Sequence, residues 1–462
     1  MNFIIFPTQL YNIKIDKKYT IYLIEDPRYF IDFKFHKLKL AYHRATMKKY
    51  YDNLKKKKYN VKYIEYHNVT NTFYKNLKEI TLYDFYDKKL YDKLDKLVTL
   101  NILPNIQFLI NQSDIDKFKN KKYQHDTFYK YIRDKYDILP NNKLSYDKEN
   151  RLNLPKNIKL PENPNNKNNK YINEAKEYIN KHFKTNYGSL DHFIYPIDHK
   201  TSIEWLNNFL KNKLINFGKY QDAVTTDSDF VFHSVISPMM NIGLLLDKDV
   251  LDISNTFYLK HKDKIPIASY EGFIRQVIGW RQYVYMLYVL ESEKMRQSNR
   301  FNHRSKINDK LWNPINIEPI DYLIEKIKKY AYVHHIERLM YLSNWLLINQ
   351  IDPDEVYRIF MEWTIDAYDW VMVANVYGMG QSSTDTMMTR VYFSSSNYIL
   401  KMSNFKKGEW CKIWDAIYYK FIEKHKNVLS KNYATAMQVK HYNNKTKEEK
   451  DEFTKIINNY KK

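Results

Sequence analysis

The chain has 462 residues, 44% of them hydrophobic, and a formal net charge of +22. That length suffices for two or three domains with a sizeable core, and the charge favours a polyanionic partner, either nucleic acid or an anionic membrane surface. The single cysteine, Cys411, excludes internal disulfides, a cysteine-built zinc site and a cysteine-ligated iron–sulfur cluster.

Lys, Asn, Ile and Tyr are inflated together, as an AT-rich genome produces, which explains much of the lysine but not the whole surplus. The lone cysteine fits an intracellular, reducing compartment. No run of about 18 apolar residues predicts a membrane span. The N-terminus MNFIIFPTQLYNIKI lacks the basic start and small-residue cleavage site of a secretion signal.

In chain order, 2–6 and 20–24 are short apolar runs with β-branched and aromatic content, and they read as buried strands. Residues 35–58 have helical apolar spacing with a basic outer face, and 61–66 is a further strand candidate. This alternation predicts a parallel α/β layer over roughly the first 110 residues. The first glycine is Gly188, so the N-terminal part holds neither a P-loop nor a GxGxxG turn. Residues 138–170 are rich in Pro, Asn and Lys and read as a linker without a packed core. From about 171 onward the patterns are helical, notably 202–218, 272–290 and 322–348. Asp352-Pro353-Asp354-Glu355 is a helix start.

Four groups of residues could carry chemistry. Ser234 and Ser237 precede an apolar run, where hydroxyls cap a helix or bind a phosphate. Glu271, Arg275 and Gln276 sit about a turn apart, followed by Trp280 and Arg281. They read either as an amphipathic helix with an internal ion pair or as a stacking and phosphate-contact surface. His334 and His335 are adjacent and lack the i, i+4 spacing of a metal pair. Asp366 and Asp369 lie in the aromatic stretch WTIDAYDWVMV and need partners if buried. For each group alone, the structural reading competes with the functional one.

Taken together and in order, the blocks EGFIRQVIGWR, YVHHIERLM, DPDEVYRIFMEWTIDAYDWVMVANVYGMGQ and SNYILKMS resemble the photolyase–cryptochrome family. The branch they resemble is the prokaryotic one typified by iron–sulfur bacterial photolyases. The likeness extends upstream through FHSVISPMMNIGLL, FGKYQDAV and LSYDKENR to HKLKLAYHRATMKKYY and FPTQL. It implies an α/β Rossmann-like antenna domain at 1–115, a connector at 116–194 and an all-α FAD-binding catalytic domain at 195–462. It also implies light-driven repair of UV-damaged DNA by a monomer, without a membrane. The (6-4) photoproduct is favoured as the lesion. The alternatives are a cyclobutane-dimer photolyase and a cryptochrome-type photoreceptor without repair.

Residue by residue, the resemblance puts Tyr220, His233, Ser234, Ser237 and Met240 on the FAD phosphates and ribityl. It puts Glu271, Arg275 and Gln276 on the flavin-cradling helix, and Asp366, Asp369, Met372 and Asn375 near the isoalloxazine. Trp280, Arg281, Met379, Tyr392 and Tyr398 would face DNA or the lesion. His335, with His334 and Arg338, would be catalytic, His335 as a proton donor. Three departures stand out. Lys406 and Glu409 replace cluster cysteines, leaving Trp410 and Trp414 to fill that space. Ile359 and Phe360 replace the aromatic pair used in flavin photoreduction, leaving Trp312, Trp345, Trp363 and Trp370 as candidate electron carriers. Met372 replaces an acid. The family's antenna motif reads Pro7-Thr8-Gln9, so a ribityllumazine-like chromophore would be left with Gln9 and Glu25. No metal is expected.

Overall fold

Five parallel strands pair in the order β3-β2-β1-β4-β5: β1 Asn2–Ile5, β2 Thr20–Ile24, β3 Val61–Ile64, β4 Glu79–Tyr83 and β5 Thr99–Leu103. The computed structural model describes residues 1–162, 169–307 and 309–460, so part of the expected linker, 163–168, lies outside the described residues. Strands β1, β2 and β3 coincide with the apolar runs, whereas β4 and β5 carry weaker signals. Thr81 interrupts the apolar run of β4. β5 is an edge strand with exposed Thr99, Asn101 and Ile102.

Parallel neighbours need crossovers, and helix Lys37–Lys56 makes the one between β2 and β3. Its first half is almost wholly buried because it lies between the sheet and the helical remainder. Lys39 crosses that boundary and donates to the carbonyls of Met361 at 3.1 Å and Ala367 at 2.5 Å. Burial pushes its ammonium down to about 7. From His199 to Tyr460 the elements are helical, which makes the chain an α/β layer joined to an all-α region. Among the described residues no helix is long and apolar enough to cross a membrane.

The segment expected to be a free linker is pinned along 138–151. Arg133 donates to the carbonyls of Ile138, Leu139, Lys143 and Leu144. Asn150 is buried and bonds the Ala268 carbonyl at 3.1 Å. Glu271 accepts from the Tyr146 backbone N–H at 3.2 Å and from Tyr129 Oη at 2.9 Å. Arg275 holds Asp147. The Pro/Asn/Lys composition hid these ties because backbone carbonyls, not apolar side chains, make most of them.

A second tie joins the two layers. Arg28 donates to Asp87 at 2.7 Å and lies 3.5 Å from Asp369. Asp369 also pairs with Arg296 and accepts from Tyr357, and from Tyr288 at 2.6 Å.

Candidate active site

Three π-helical segments, Arg275–Trp280, Glu337–Ser343 and Ala374–Gly380, converge on a cavity of about 930 Å³. A π-turn carries more residues per turn than an α-turn and re-aims its side chains, and such turns are frequent at functional sites. The first contributes Gln276, Val277 and Trp280, the second Arg338, Leu339, Met340 and Ser343, and the third Asn375, Val376, Met379 and Gly380. The second and third approach so closely that a Cβ at position 380 would collide with Ser343 Oγ. Gly380→Ala is therefore expected to lower stability by about 1–3 kcal/mol, read as a drop in the thermal midpoint.

The fourth wall is the loop ahead of helix Ser237–Asn241. Val231 and Val235 adopt left-handed backbone angles, φ 44° and 53°. This is unfavourable for β-branched residues and costs on the order of 1–3 kcal/mol each. They bracket His233 and Ser234, both of which line the cavity.

His233 and His334 stack with ring centroids 4.2 Å apart, and His335 stands 5.5 Å from His233. Burial, helped by His335 and Lys326 beside His233 and by His233 and Lys326 beside His334, pushes both rings well below the usual imidazole range, so both are neutral. Glu337 accepts from the His334 backbone N–H at 2.8 Å and is itself held by buried Lys326 at 2.8 Å. His335 is about half exposed, and its Nε2 lies 3.2 Å from Asp222 Oδ1. Arg151 reaches the other oxygen of Asp222 at 3.5 Å.

Asp366 is fixed by Ser237 Oγ at 2.5 Å and by Arg338 at 2.9 Å. Trp280 donates to Asn375 Oδ1 at 3.3 Å. Met240, Met372, Met379, Tyr392, Tyr398 and Trp370 also line the cavity. Phe360, at a position of the lost aromatic pair, lines it too, whereas its neighbour Ile359 is buried elsewhere. Arg281 lines the cavity but is not free to reach DNA. It is clamped by Asp247 at 2.8 Å, bonded to Asn241 and set 4.7 Å over the Trp370 ring.

Other expected positions fall outside the cavity lining. Glu271 and Arg275 hold the connector, and Asp369 belongs to the arginine cluster between the layers, because each found a cation or donor closer than the cavity. Tyr220 packs on Phe232 with centroids 5.7 Å apart. Trp312 and Trp363 pack at 4.9 Å, and Trp345 packs on Trp414 at 5.0 Å, away from the lining. Trp410 and Trp414 are both buried, 6.3 Å apart. In the α/β layer, Glu25 is spent on Arg44, Tyr63 and the Tyr66 backbone N–H. Gln9 is spent on the Tyr83 carbonyl at 2.7 Å and the Phe6 N–H.

Sequence reasoning missed Gln221, Asp222, Arg151, Tyr332 and Arg390, which also line the cavity. Gln221 and Asp222 sit within FGKYQDAV, yet nothing local marks Asp222 as the partner of a histidine more than a hundred residues on. Several buried donors in the lining bond to no protein group among the described residues: Gln221 Nε2, His233 Nε2 and Arg281 Nη2. Buried donors need acceptors, so an acceptor-rich ligand fits there. Phe273, Val277, Val284 and Trp370 offer that ligand an apolar wall, and the volume suits a cofactor.

The chain is thus an α/β layer joined to a helical region, and the helical region encloses a cavity of a size that fits a cofactor. The model of the deoxyribodipyrimidine photo-lyase-related protein family matches residues 3–195. The (6-4) photolyase of Agrobacterium fabrum is 30% identical over 334 residues, covering 68% of this chain and 66% of that protein. The chain thus spans about two thirds of that relative's length. Among solved structures, a Synechocystis cryptochrome aligns with TM-score 0.57 and 14% identity over 89% of this chain and 88% of its own. An archaeal photolyase from Sulfolobus tokodaii, solved with two FAD molecules, aligns with TM-score 0.53 and 13% identity over 99% and 100%. The chain belongs to the photolyase/cryptochrome superfamily.

Proposed function

We propose that this protein repairs UV-induced pyrimidine dimers in DNA by light-driven electron transfer from FAD, with the (6-4) photoproduct as the favoured lesion. One observation carries the choice of lesion. A partly exposed histidine, His335, stands in the lining of the cavity with a carboxylate, Asp222, on its Nε2. That arrangement occurs in a chain 30% identical to a protein named (6-4) photolyase.

The residues fit FAD on the evidence of their own unmet bonding. Gln221, His233 and Arg281 offer donors to its phosphates and hydroxyls, and Phe273, Val277 and Trp370 offer apolar surface to its ring system. When bound and reduced, FAD supplies the light-excited electron. The remaining work falls to the chain. Ser237 and Arg338 fix Asp366 on the cavity wall, where its carboxylate would be available to the flavin. Trp280, Tyr392 and Tyr398 present aromatic faces on which a base extruded from the duplex can stack. Asp222 accepts from His335 Nε2–H and fixes the ring, leaving Nδ1 as the atom through which a proton would pass to the lesion. A hydroxyl moved between the two bases of a (6-4) lesion needs that proton, whereas a cyclobutane dimer does not.

The test pairs flavin loading with repair. Purified protein is expected to take up FAD stoichiometrically and, once reduced, to restore a (6-4) duplex in light but not in darkness. Protein that stays colourless in excess FAD overturns the reading. Protein that restores only cyclobutane dimers overturns the assignment of the lesion.

A further inference from the structure

Helix Tyr433–Asn443 carries two of the most exposed large apolar side chains in the molecule, Tyr433 at 97% and Met437 at 73% of full exposure. They stand one turn apart, on the same face. The opposite face anchors the helix. Thr435, Val439 and Tyr442 are buried, Thr435 Oγ1 donates to the Leu429 carbonyl at 2.6 Å, and Tyr442 Oη donates to Glu423 at 2.6 Å. Packing therefore does not require Tyr433 or Met437. Their small neighbours Ala434 and Ala436 leave both side chains standing clear of the helix.

This helix edges the cavity. Gln438, next to Met437, is part of the lining. Asn432, which caps the helix, donates to the Thr389 carbonyl, beside the lining residues Met388 and Arg390. Around the pair, Arg390, Lys431 and Lys440 are exposed and make no ion pair among the described residues. An apolar pair ringed by cations without an ion-pair partner among the described residues, at the edge of the cavity, suits a polyanion that also offers an apolar gap.

We propose that Tyr433 and Met437 enter the gap left in a DNA duplex when a dimer is flipped out, with Arg390, Lys431 and Lys440 on the flanking phosphates. This rests on the repair reading above and names how the duplex is held. Flipping costs stacking on both sides of the lesion, and apolar side chains wedged between base steps are a general way to recover it. Stacking of a base on an aromatic ring is sequence-tolerant, which suits an enzyme that meets lesions in any context.

The experiment measures affinity by fluorescence anisotropy at one fixed salt concentration for a lesion-bearing duplex, the same lesion in single-stranded DNA, and an undamaged duplex. The variant Tyr433→Ala/Met437→Ala is expected to bind the lesion duplex about tenfold more weakly. It should keep full affinity for the single-stranded lesion, where no gap needs filling, and full flavin content. Tyr433→Phe/Met437→Leu should behave as wild type. Unchanged duplex affinity, or equal loss on duplex and single strand, overturns the proposal. So does sedimentation showing wild-type dimers that the alanine variant loses, which would make this face a contact between copies. A wild-type protein without preference for the lesion duplex overturns the repair reading and this proposal together, and is distinguishable because the defect precedes any substitution.

Discussion

His335→Ala is expected to reduce light-driven restoration of a (6-4) duplex by about 10²–10⁴-fold, the span of a lost general acid. Flavin content and lesion affinity should stay near wild type. The side chain is half exposed, so its removal opens no core cavity. It bonds Asp222, which keeps Arg151 as a second partner, and otherwise touches only the rings of His233 and His334 among the described residues. Asp222→Asn should produce a smaller loss, because the ring would be held less firmly while its transferable proton remains. His334→Ala should act differently. His334 is buried, neutral and stacked on His233, and its backbone N–H is clamped by Glu337. Its loss should lower stability as well as activity. Single-turnover repair under fixed illumination, with flavin absorbance and thermal melts alongside, separates these outcomes.

Arg28→Met should destabilise the fold by about 3–5 kcal/mol, the usual cost of leaving a buried charge without its partner. Arg28 is buried between Asp87 and Asp369. The two carboxylates share it unequally. Burial pushes Asp369 upward, but Arg296 and Arg28 outweigh it and hold the group below its ordinary value. Burial dominates at Asp87 and holds it up at about 6 despite Arg28. The signs follow by linkage. Asp369 contributes stability above the usual carboxylate range, and that contribution is lost as pH falls through its folded value. Asp87 costs stability above about 6, and the cost shrinks as pH falls toward 3.8. Without Arg28, Asp87 rises further, so the deficit of the variant should be smaller near pH 5 than near pH 8. Adding Asp87→Asn should recover part of the loss. Urea unfolding at both pH values checks this. A pH-independent deficit would indicate lost packing in place of an uncompensated carboxylate.

The broad architecture was legible because its signals are local. The runs NFII, TIYLI and VKYI are apolar enough to announce β1, β2 and β3, and Asp352-Pro353 announces the helix Pro353–Trp363. β5 was not legible, because an edge strand with exposed Thr99 and Asn101 has little apolar pattern to show. The π-helical segments were equally silent, since i→i+5 bonding leaves no periodicity that differs from an α-helix over six or seven residues. Ser237, Arg338, Asp366 and Trp280, from four separate blocks of the sequence, all line the same cavity. Asp369, Glu271 and Arg275 do not. Their partners, Arg28, Tyr146 and Asp147, lie far off in sequence, and a buried charge is decided by whichever opposite charge the fold delivers.

The most direct test of the central claim is chemical analysis of a (6-4) oligonucleotide after illumination with reduced, FAD-loaded protein under single-turnover conditions. The expected result is recovery of the two original pyrimidines in the illuminated sample and none in darkness. An intact lesion after illumination, in protein that holds FAD and binds the damaged duplex, would contradict the account.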